Sequence, residues 1–217
     1  MNVFDYIGPI MVGPSSSHTA GAARIGNIAR LLFGKVPLKA EIVFFGSFSK
    51  TYKGHGTDRA VVGGLLGFKP DDIRIRDSFL WAEKENMQFS IITSEEAAAH
   101  PNTVKITIEN QEKMHITGQS TGGGIIKIVE INDSEVSFSA DFYTTVVFNE
   151  DIPGVVSEVS GIFAKYSINI ANMKVFRNKG TKSAIMVIES DQQVKEDIFS
   201  VLRQTESIKK AVTINPF

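Results

Sequence analysis

The order of secondary-structure elements in the last third of the chain constrains its fold more than any other feature. From Phe142 onward, segments with the alternating apolar pattern of strands are interleaved with segments of helical period. These segments, in chain order, are a strand at 144–149, a turn and amphipathic helix at 151–167, strands at 168–178 and 181–190 around the turn Asn178-Lys179-Gly180, a helix at 191–204 and a strand at 208–217. The order is therefore β-α-β-β-α-β.

This order predicts a ferredoxin-like arrangement, in which two helices pack on one face of a four-stranded antiparallel sheet. The texture of the sequence changes near Ala140, and a length of 217 residues suits two small domains. We therefore expect an α+β protein with domains at 1–140 and 142–217.

The first domain mixes strands and helices that are joined by glycine-bearing turns. Residues 41–47, 104–109 and 124–131 are apolar or β-branched runs that predict strands. One helix is predicted after Ser15-Ser16-Ser17, where Ile25, Ile28, Ala29 and Leu32 follow helical spacing. A second helix is predicted to start near Thr57 or Asp58, and either residue could be its N-cap.

Charge and composition exclude several classes of function. A net charge of −1 argues against a nucleic-acid partner, and no apolar run reaches the roughly 18 residues of a membrane span. Asp5 stands where a secretory signal would have basic residues, which predicts a cytoplasmic protein. The chain contains no cysteine, so disulfides and thiolate metal sites within it are impossible.

The segment Gly13-Pro14-Ser15-Ser16-Ser17-His18-Thr19-Ala20-Gly21 carries the strongest chemical signal. Serine hydroxyls and free N–H groups at a helix entry favour an anion such as a carboxylate. His18 is the only side chain in that turn that titrates near neutral pH. The alternative is a helix cap beside a structural histidine.

A second histidine lies between two glycines in Lys53-Gly54-His55-Gly56-Thr57-Asp58. Glycines permit close approach of the backbone to a ligand. Asp58 could orient an imidazole or could cap the following helix. Two helix starts, each with a histidine, would form one pocket if they converge.

Three further segments are weaker candidates. Consecutive glycines in Ser120-Thr121-Gly122-Gly123-Gly124 could turn N–H groups inward as an anion nest, or could simply form a hairpin turn. His100-Pro101-Asn102-Thr103 precedes a strand and reads as a turn. His115 alternates along a strand and is interpreted as structural.

The second domain resembles an ACT domain, through the turn Asp151-Ile152-Pro153-Gly154 and the segment Ile168-Asn169-Ile170. ACT domains pair through their sheets and bind amino acids at the interface of the pair. The resemblance therefore implies self-association and an effector site at Asp151, Pro153, Gly154 and Asn169. The alternative is a packing module that binds nothing.

Taken together, GPSSSHTAG, KGHGTD, HPNT and STGGG before an ACT domain resemble the beta chain of the two-subunit, iron-sulfur L-serine dehydratase of bacteria. The resemblance runs from Phe4 to the C-terminus, and Thr121 is a departure where isoleucine is expected. It implies that the first domain has the allosteric substrate binding fold, which also occurs in some phosphoglycerate dehydrogenases.

The family implies a lyase that converts L-serine to pyruvate and ammonia and is active only with an alpha chain. That partner would hold a 4Fe-4S cluster as a Lewis acid, and this chain would ligate no metal. His18 and His55 become the expected catalytic residues. The expected substrate-binding residues are Ser15, Ser16, Ser17, Thr19, Gly54, Gly56, Thr57, Asp58, Gly122 and Gly123. The alternative is a non-catalytic, amino-acid-sensing module of a larger enzyme.

Overall fold

A computed structural model describes residues 10–178 and 180–216 of the chain. Phe4 and Asp5, Lys179 of the predicted turn, and Phe217 lie outside the described residues. The chain divides into two compact units between Asp133 and Ser134. The domain ranges 1–140 and 142–217 stay a prediction.

The first unit contains four α-helices and five strands among its described residues. In chain order they are a π-helical turn Ser16–Gly21, α1 Ala22–Phe33, β1 Lys39–Phe45, α2 Gly46–His55, α3 Thr57–Leu65, a 3-10 turn Ile73–Asp77, α4 Ser78–Lys84, β2 Gln88–Thr93, β3 Asn102–Glu109, β4 Lys113–Gly122 and β5 Ile125–Ile131.

The sheet of this unit runs in the order β2-β1-β3-β4-β5. β1 and β2 are parallel, and the other neighbours are antiparallel. Phe45 at the end of β1 is paired with Thr103 near the start of β3, and Thr103 is paired with Gln119 near the end of β4. The segments that follow β1, precede β3 and end β4 therefore meet at one end of the sheet.

Burial alternates along β1, as expected for a sheet with one face against helices. Ile42 and Phe44 of β1 and Ile106 of β3 are fully buried, together with Ile25 and Ile28 of α1. The opposite face carries polar and charged side chains. The helices therefore lie on one face and leave the other exposed.

Helices α1 and α3 contact each other directly through glycine. A methyl group on Gly26 would lie 2.4 Å from the carbonyl oxygen of Val61, and one on Gly64 would lie 2.2 Å from that of Ala23. Those distances are far below van der Waals contact. Only glycine at these two positions lets the backbones of the two helices pack so closely.

Around His55 the structure adds one element and corrects one prediction. Residues 46–55 form helix α2, which the sequence did not predict. The segment is polar and buries only Phe48, so it has no strong apolar periodicity. The N-cap of α3 is Gly56, in the left-handed conformation, and neither Thr57 nor Asp58 caps the helix.

The second unit confirms the predicted ferredoxin-like order. It begins with β6 Ser134–Phe138, followed by β7 Tyr143–Glu150, α5 Val155–Lys165, β8 Ile170–Asn178, β9 Ser183–Ser190, α6 Glu196–Gln204 and β10 Ile208–Ile214. The last four strands form an antiparallel sheet in the order β10-β7-β9-β8, so β8 is an edge strand. Phe163 and Leu202 from the two helices pack with Val147 and Met186 of the sheet in one apolar core.

Within residues 10–178 and 180–216, no helix has both the length and the apolar character needed to cross a membrane.

Candidate active site

The two histidines predicted from separate motifs lie side by side. The ring centroids of His18 and His55 are 4.7 Å apart, with an interplanar angle of 51°. His18 lies in the π-helical turn that leads into α1, and His55 is the last residue of α2, just before α3. The two helix starts therefore converge, which the sequence alone could not establish.

His18 is hydrogen-bonded at both ring nitrogens. Nδ1 lies 3.3 Å from the hydroxyl of Ser15, and Nε2 lies 3.2 Å from the hydroxyl of Ser47. The edge of the Phe48 ring packs against it at a centroid distance of 5.2 Å. Burial, and then the neighbouring His55, lower the pKa of His18 from 6.5. His18 is therefore a neutral, fixed imidazole at pH 7.

His55 is held by its backbone, and its ring nitrogen Nδ1 has no partner. The hydroxyl of Thr19 donates to the carbonyl oxygen of His55 at 3.0 Å. Nδ1 of His55 is buried and forms no hydrogen bond within the described residues. A buried polar atom without a partner is unfavourable unless a ligand or water satisfies it. Because Nδ1 is shielded, a ligand in the cavity could reach the His55 ring through Nε2, which forms no hydrogen bond to another described residue.

A cavity of about 550 Å³ opens beside His55. Four other residues predicted for the substrate site line it, namely Thr19, Gly54, Gly56 and Asp58. The exposed cations Lys53, Arg59 and Arg76 also line the cavity, and Ile75 and Phe79 form an apolar part of its wall. Its volume is ample for a small amino acid.

Asp58 is a buried carboxyl group in the wall of this cavity. Its Oδ1 accepts a hydrogen bond from the backbone N–H of Arg59 at 2.8 Å. Burial raises the pKa of Asp58 above 3.8, although that hydrogen bond and the charges of Arg59 and Lys53 act in the opposite direction. The carboxylate is therefore held in a site that does not favour its charge.

In the serine loop, Ser15 caps the helical turn, while Ser16 and Ser17 keep hydroxyls that could bind an anion. The hydroxyl of Ser15 accepts from the backbone N–H of His18 at 3.1 Å, which is a capping interaction. The hydroxyls of Ser16 and Ser17 make no hydrogen bond to another described residue. Thr57 is fully buried and its hydroxyl has no partner within the same part of the chain.

The glycines of STGGG form the tight turn between β4 and β5. Gly122, Gly123 and Gly124 all have positive φ angles, of 116°, 60° and 82°. Arg24 donates to the carbonyl oxygen of Gly124 at 2.8 Å. The segment is therefore a hairpin turn, as one of the two interpretations of the sequence held. A role of Gly122 and Gly123 in binding substrate stays a prediction.

Two polar residues that were not assigned to the site lie next to it. Ser47, in the first turn of α2, contacts His18 as described. Asn102 opens β3, and its amide nitrogen donates to the carbonyl oxygen of Ser120 at 3.3 Å. Its Oδ1 is buried without a partner among the described residues. The HPNT motif was the signal for Asn102, but α2 went unrecognised, so nothing in the sequence pointed to Ser47.

The predicted effector residues of the second unit do not meet within one copy. Asp151 forms an ion pair with Arg177, with Nε to Oδ2 at 2.8 Å, next to the start of β9. Asn169 lies beyond the other end of β9, where its amide donates to Asp191 at 2.6 Å. The strand separates them by roughly 20 Å. Gly154 is the left-handed N-cap of α5, and Pro153 precedes it.

The described residues contain no group of three or more His, Asp or Glu side chains placed to hold a metal ion. The full sequence has no cysteine. Thiolate ligation of an iron-sulfur cluster by this chain is therefore impossible.

Comparison with known proteins assigns a family to each of the two units. The serine dehydratase beta chain family matches residues 2–130, and the ACT domain family matches residues 143–207. The paired histidines therefore lie in a unit of the first family, and the ferredoxin-like unit is an ACT domain. The chain belongs to the serine dehydratase beta chain family.

Individual relatives agree with this assignment. A Bacillus subtilis protein described as a probable L-serine dehydratase, beta chain, is 43% identical over 98% of this chain and 97% of its own length. The L-serine dehydratase beta chain of Peptoniphilus asaccharolyticus is 39% identical over 97% and 96%. The D-3-phosphoglycerate dehydrogenase of Methanocaldococcus jannaschii is 28% identical over 89% of this chain but only 37% of its own length.

The raised pKa of Asp58 predicts that Asp58→Asn stabilises the fold at pH 7. The folded state holds its proton more tightly than the unfolded state, so ionisation near neutral pH opposes folding. The gain should shrink as the pH falls through the raised pKa toward 3.8. Urea unfolding at about pH 7 and about pH 4.5 measures both effects.

Asp72→Asn is the matched control, because the Arg74 side chain lowers the pKa of Asp72 below 3.8. This variant should lose stability at pH 7 and should keep that loss at about pH 4.5, since the charge of Asp72 disappears only below pH 3.8. Destabilisation by Asp58→Asn at neutral pH would contradict this account of the site.

Proposed function

We propose that this chain is the beta subunit of an L-serine dehydratase, which deaminates L-serine to pyruvate and ammonia. It would supply one half of an active site that an alpha chain completes. Family membership and the two similar beta chains support this proposal. The adjacent rings of His18 and His55, of which His55 lines the cavity, are the observation that carries it.

His55 is the group that would remove the α-proton of serine. A general base needs a free lone pair within reach of the proton that it takes. Nδ1 of His55 is buried, but its Nε2 forms no hydrogen bond to a described residue, whereas both nitrogens of His18 are hydrogen-bonded to hydroxyls. His18 would stay neutral beside His55, so that His55 alone would take up the proton removed from serine.

The substrate would lie in the cavity with its charged groups on opposite partners. Ser16 and Ser17 do not line the cavity, but they lie between Pro14 and Thr19, which do, and their hydroxyls and N–H groups would bind the carboxylate at this edge. Asp58 would accept the α-ammonium group, which would offset the unfavourable burial of its carboxylate. Thr19, Gly54 and Gly56 would shape the wall between them.

The partner would have to approach at the mouth of the cavity. An iron-sulfur cluster held there by the alpha chain would act as a Lewis acid on the serine hydroxyl, which leaves from the β-carbon. Lys53, Arg59 and Arg76 at this face would favour the approach of anionic groups. The aminoacrylate product needs no further group of this chain, because it tautomerises and hydrolyses in water.

The ACT domain would pair with a second copy and bind an amino acid between them. Asp151 and Asn169 lie at opposite ends of β9 in one copy. Two copies joined antiparallel through their β8 edges would bring the Asp151–Gly154 turn of one beside Asn169 of the other. The left-handed Gly154 leaves N–H groups at the start of α5 open to a carboxylate.

A second candidate is a non-catalytic amino-acid sensor. The likeness to a phosphoglycerate dehydrogenase over most of this chain favours it. A sensor would bind an amino acid through its ACT domain and would show no turnover with any partner. It would leave the adjacent histidines, of which His55 lines the cavity, without a use.

The proposed function predicts that the purified chain alone is colourless and does not deaminate serine, because it has no cysteine to hold a cluster. Anaerobic mixing with the alpha chain should produce both the iron-sulfur absorption and pyruvate. Pyruvate formation is followed by a coupled assay. Serine deamination by the chain alone would contradict the proposal, and so would an inactive mixture that contains an intact cluster.

His55→Ala in the mixed enzyme should lower kcat about 10²- to 10⁴-fold, as expected for loss of an acid-base group. His115→Ala provides the matched control, because His115 lies on β4, is hydrogen-bonded to Thr107 of β3 and does not line the cavity. It should keep normal turnover. A near-normal rate in His55→Ala would remove that residue from the chemistry.

The paired ACT model predicts that Asn169→Ala weakens binding of the effector amino acid and leaves basal turnover unchanged. The coupling between the effector and serine should be about 1–3 kcal/mol and reciprocal in binding. Calorimetry of the full chain with L-serine and other amino acids, compared with Asn172→Ala, tests it. Asn172 is a matched amide on β8 that bonds Glu189. Equal heats for the wild-type chain, Asn169→Ala and Asn172→Ala would contradict the proposed effector site.

A further inference from the structure

Ser47 is the residue outside the predicted site that contacts it most directly. Its hydroxyl lies 3.2 Å from Nε2 of His18, while the hydroxyl of Ser15 lies 3.3 Å from Nδ1. The two hydroxyls therefore hold the imidazole between them. Ser15 is local to the histidine, but Ser47 comes from a different helix and ties the ring to the rest of the unit.

The position of Ser47 depends on a close contact between Gly46 and Pro101. Gly46 has a φ of 57°, and a methyl group there would lie 2.5 Å from the carbonyl oxygen of Pro101. That carbonyl oxygen accepts from the backbone N–H groups of Ser47 at 2.7 Å and Phe48 at 3.4 Å. The HPNT segment thus serves as the N-terminal cap of α2 and fixes its first turn.

The same turn places an aromatic ring against the histidine. Phe48 is fully buried, and its ring meets that of His18 edge-on at 5.2 Å. Ser47 and Phe48 therefore fix the imidazole by one hydrogen bond and one packing contact. A neutral imidazole has one donor and one acceptor nitrogen, and two hydroxyls can satisfy both.

We propose that Ser47 is a positioning residue, which holds His18 in a fixed, hydrogen-bonded orientation beside His55. The inference rests on the proposed function, since it makes the geometry of the histidine pair depend on α2 and on the HPNT turn. Ser47 would act on the reaction only through His18, because its hydroxyl bonds the ring and is absent from the cavity wall.

The test compares three variants of the full chain. Ser47→Ala removes the hydrogen bond, and Ser47→Thr keeps a hydroxyl. Ser49→Ala is the control, because Ser49 lies in the same turn and its hydroxyl donates to the carbonyl oxygen of Gly46 at 2.8 Å. In enzyme mixed with the alpha chain, Ser47→Ala should lower kcat about 10-fold with little change in KM. Ser47→Thr should recover most of that loss.

A second readout does not need activity. The chain has four histidines, so ¹⁵N spectra of its imidazoles can resolve each ring. In Ser47→Ala the shifts of His18 should move toward those of a solvent-exposed histidine, while His100 and His115 stay unchanged. Ser49→Ala should match the wild-type spectrum.

The two readouts separate the inference from the proposed function. An inactive wild-type mixture would overturn the proposed function, whereas the spectra would still report the contact between Ser47 and His18. Wild-type shifts of His18 in a folded Ser47→Ala chain would overturn the positioning role, whatever the rate. Equal effects of Ser47→Ala and Ser49→Ala would overturn it as well. If Ser47→Ala does not fold, Ser47→Cys replaces it in both measurements.

Discussion

The contact between Gly26 of α1 and Gly64 of α3 is the constraint on which the site depends. It joins the two helices about two turns after His18 and about two turns after His55. Because the helices meet at equivalent points, the segments that precede them converge, and the histidine rings come within 4.7 Å of each other. Any side chain at either glycine would push the helices apart and would separate the rings.

Electrostatics then determines what the converged residues can do. Burial and the neighbouring His55 lower the pKa of His18, so His18 stays neutral beside His55 at pH 7. Asp58 lies in the cavity wall with a raised pKa, and among the described residues no cationic side chain is hydrogen-bonded to it. The ammonium group of an amino acid in the cavity could therefore offset the unfavourable burial of this carboxylate.

The ferredoxin-like unit could be predicted almost element by element, because its strands and helices alternate with strong periodicity and short turns. The first unit was harder. α1 follows a clear apolar spacing, but α2 buries only Phe48 and carries its polar residues on all sides. Its existence depends on packing and on the cap from Pro101, which are tertiary contacts.

The site residues also divide into those that the sequence indicates and those that depend on tertiary contacts. His18 and His55 stand out in the sequence because glycines and serines surround them, but their convergence depends on helix packing that one-dimensional spacing does not contain. Ser47 has no local signal at all, since a serine in a polar segment is ordinary. Thr57 and Asp58 were expected to cap α3, yet Gly56 takes that place, because its left-handed backbone joins α2 to α3 directly.

The central claim is that His55 faces a site which a cluster-bearing partner completes. The most direct measurement is an ¹⁵N spectrum of the histidine rings before and after anaerobic addition of the alpha chain with its cluster. We predict that the signals of His55 and His18 shift or broaden, because a paramagnetic or strongly perturbing centre comes close, while the signal of His115 on the exposed sheet face stays unchanged. A complex that forms while His55 remains unperturbed would contradict the account.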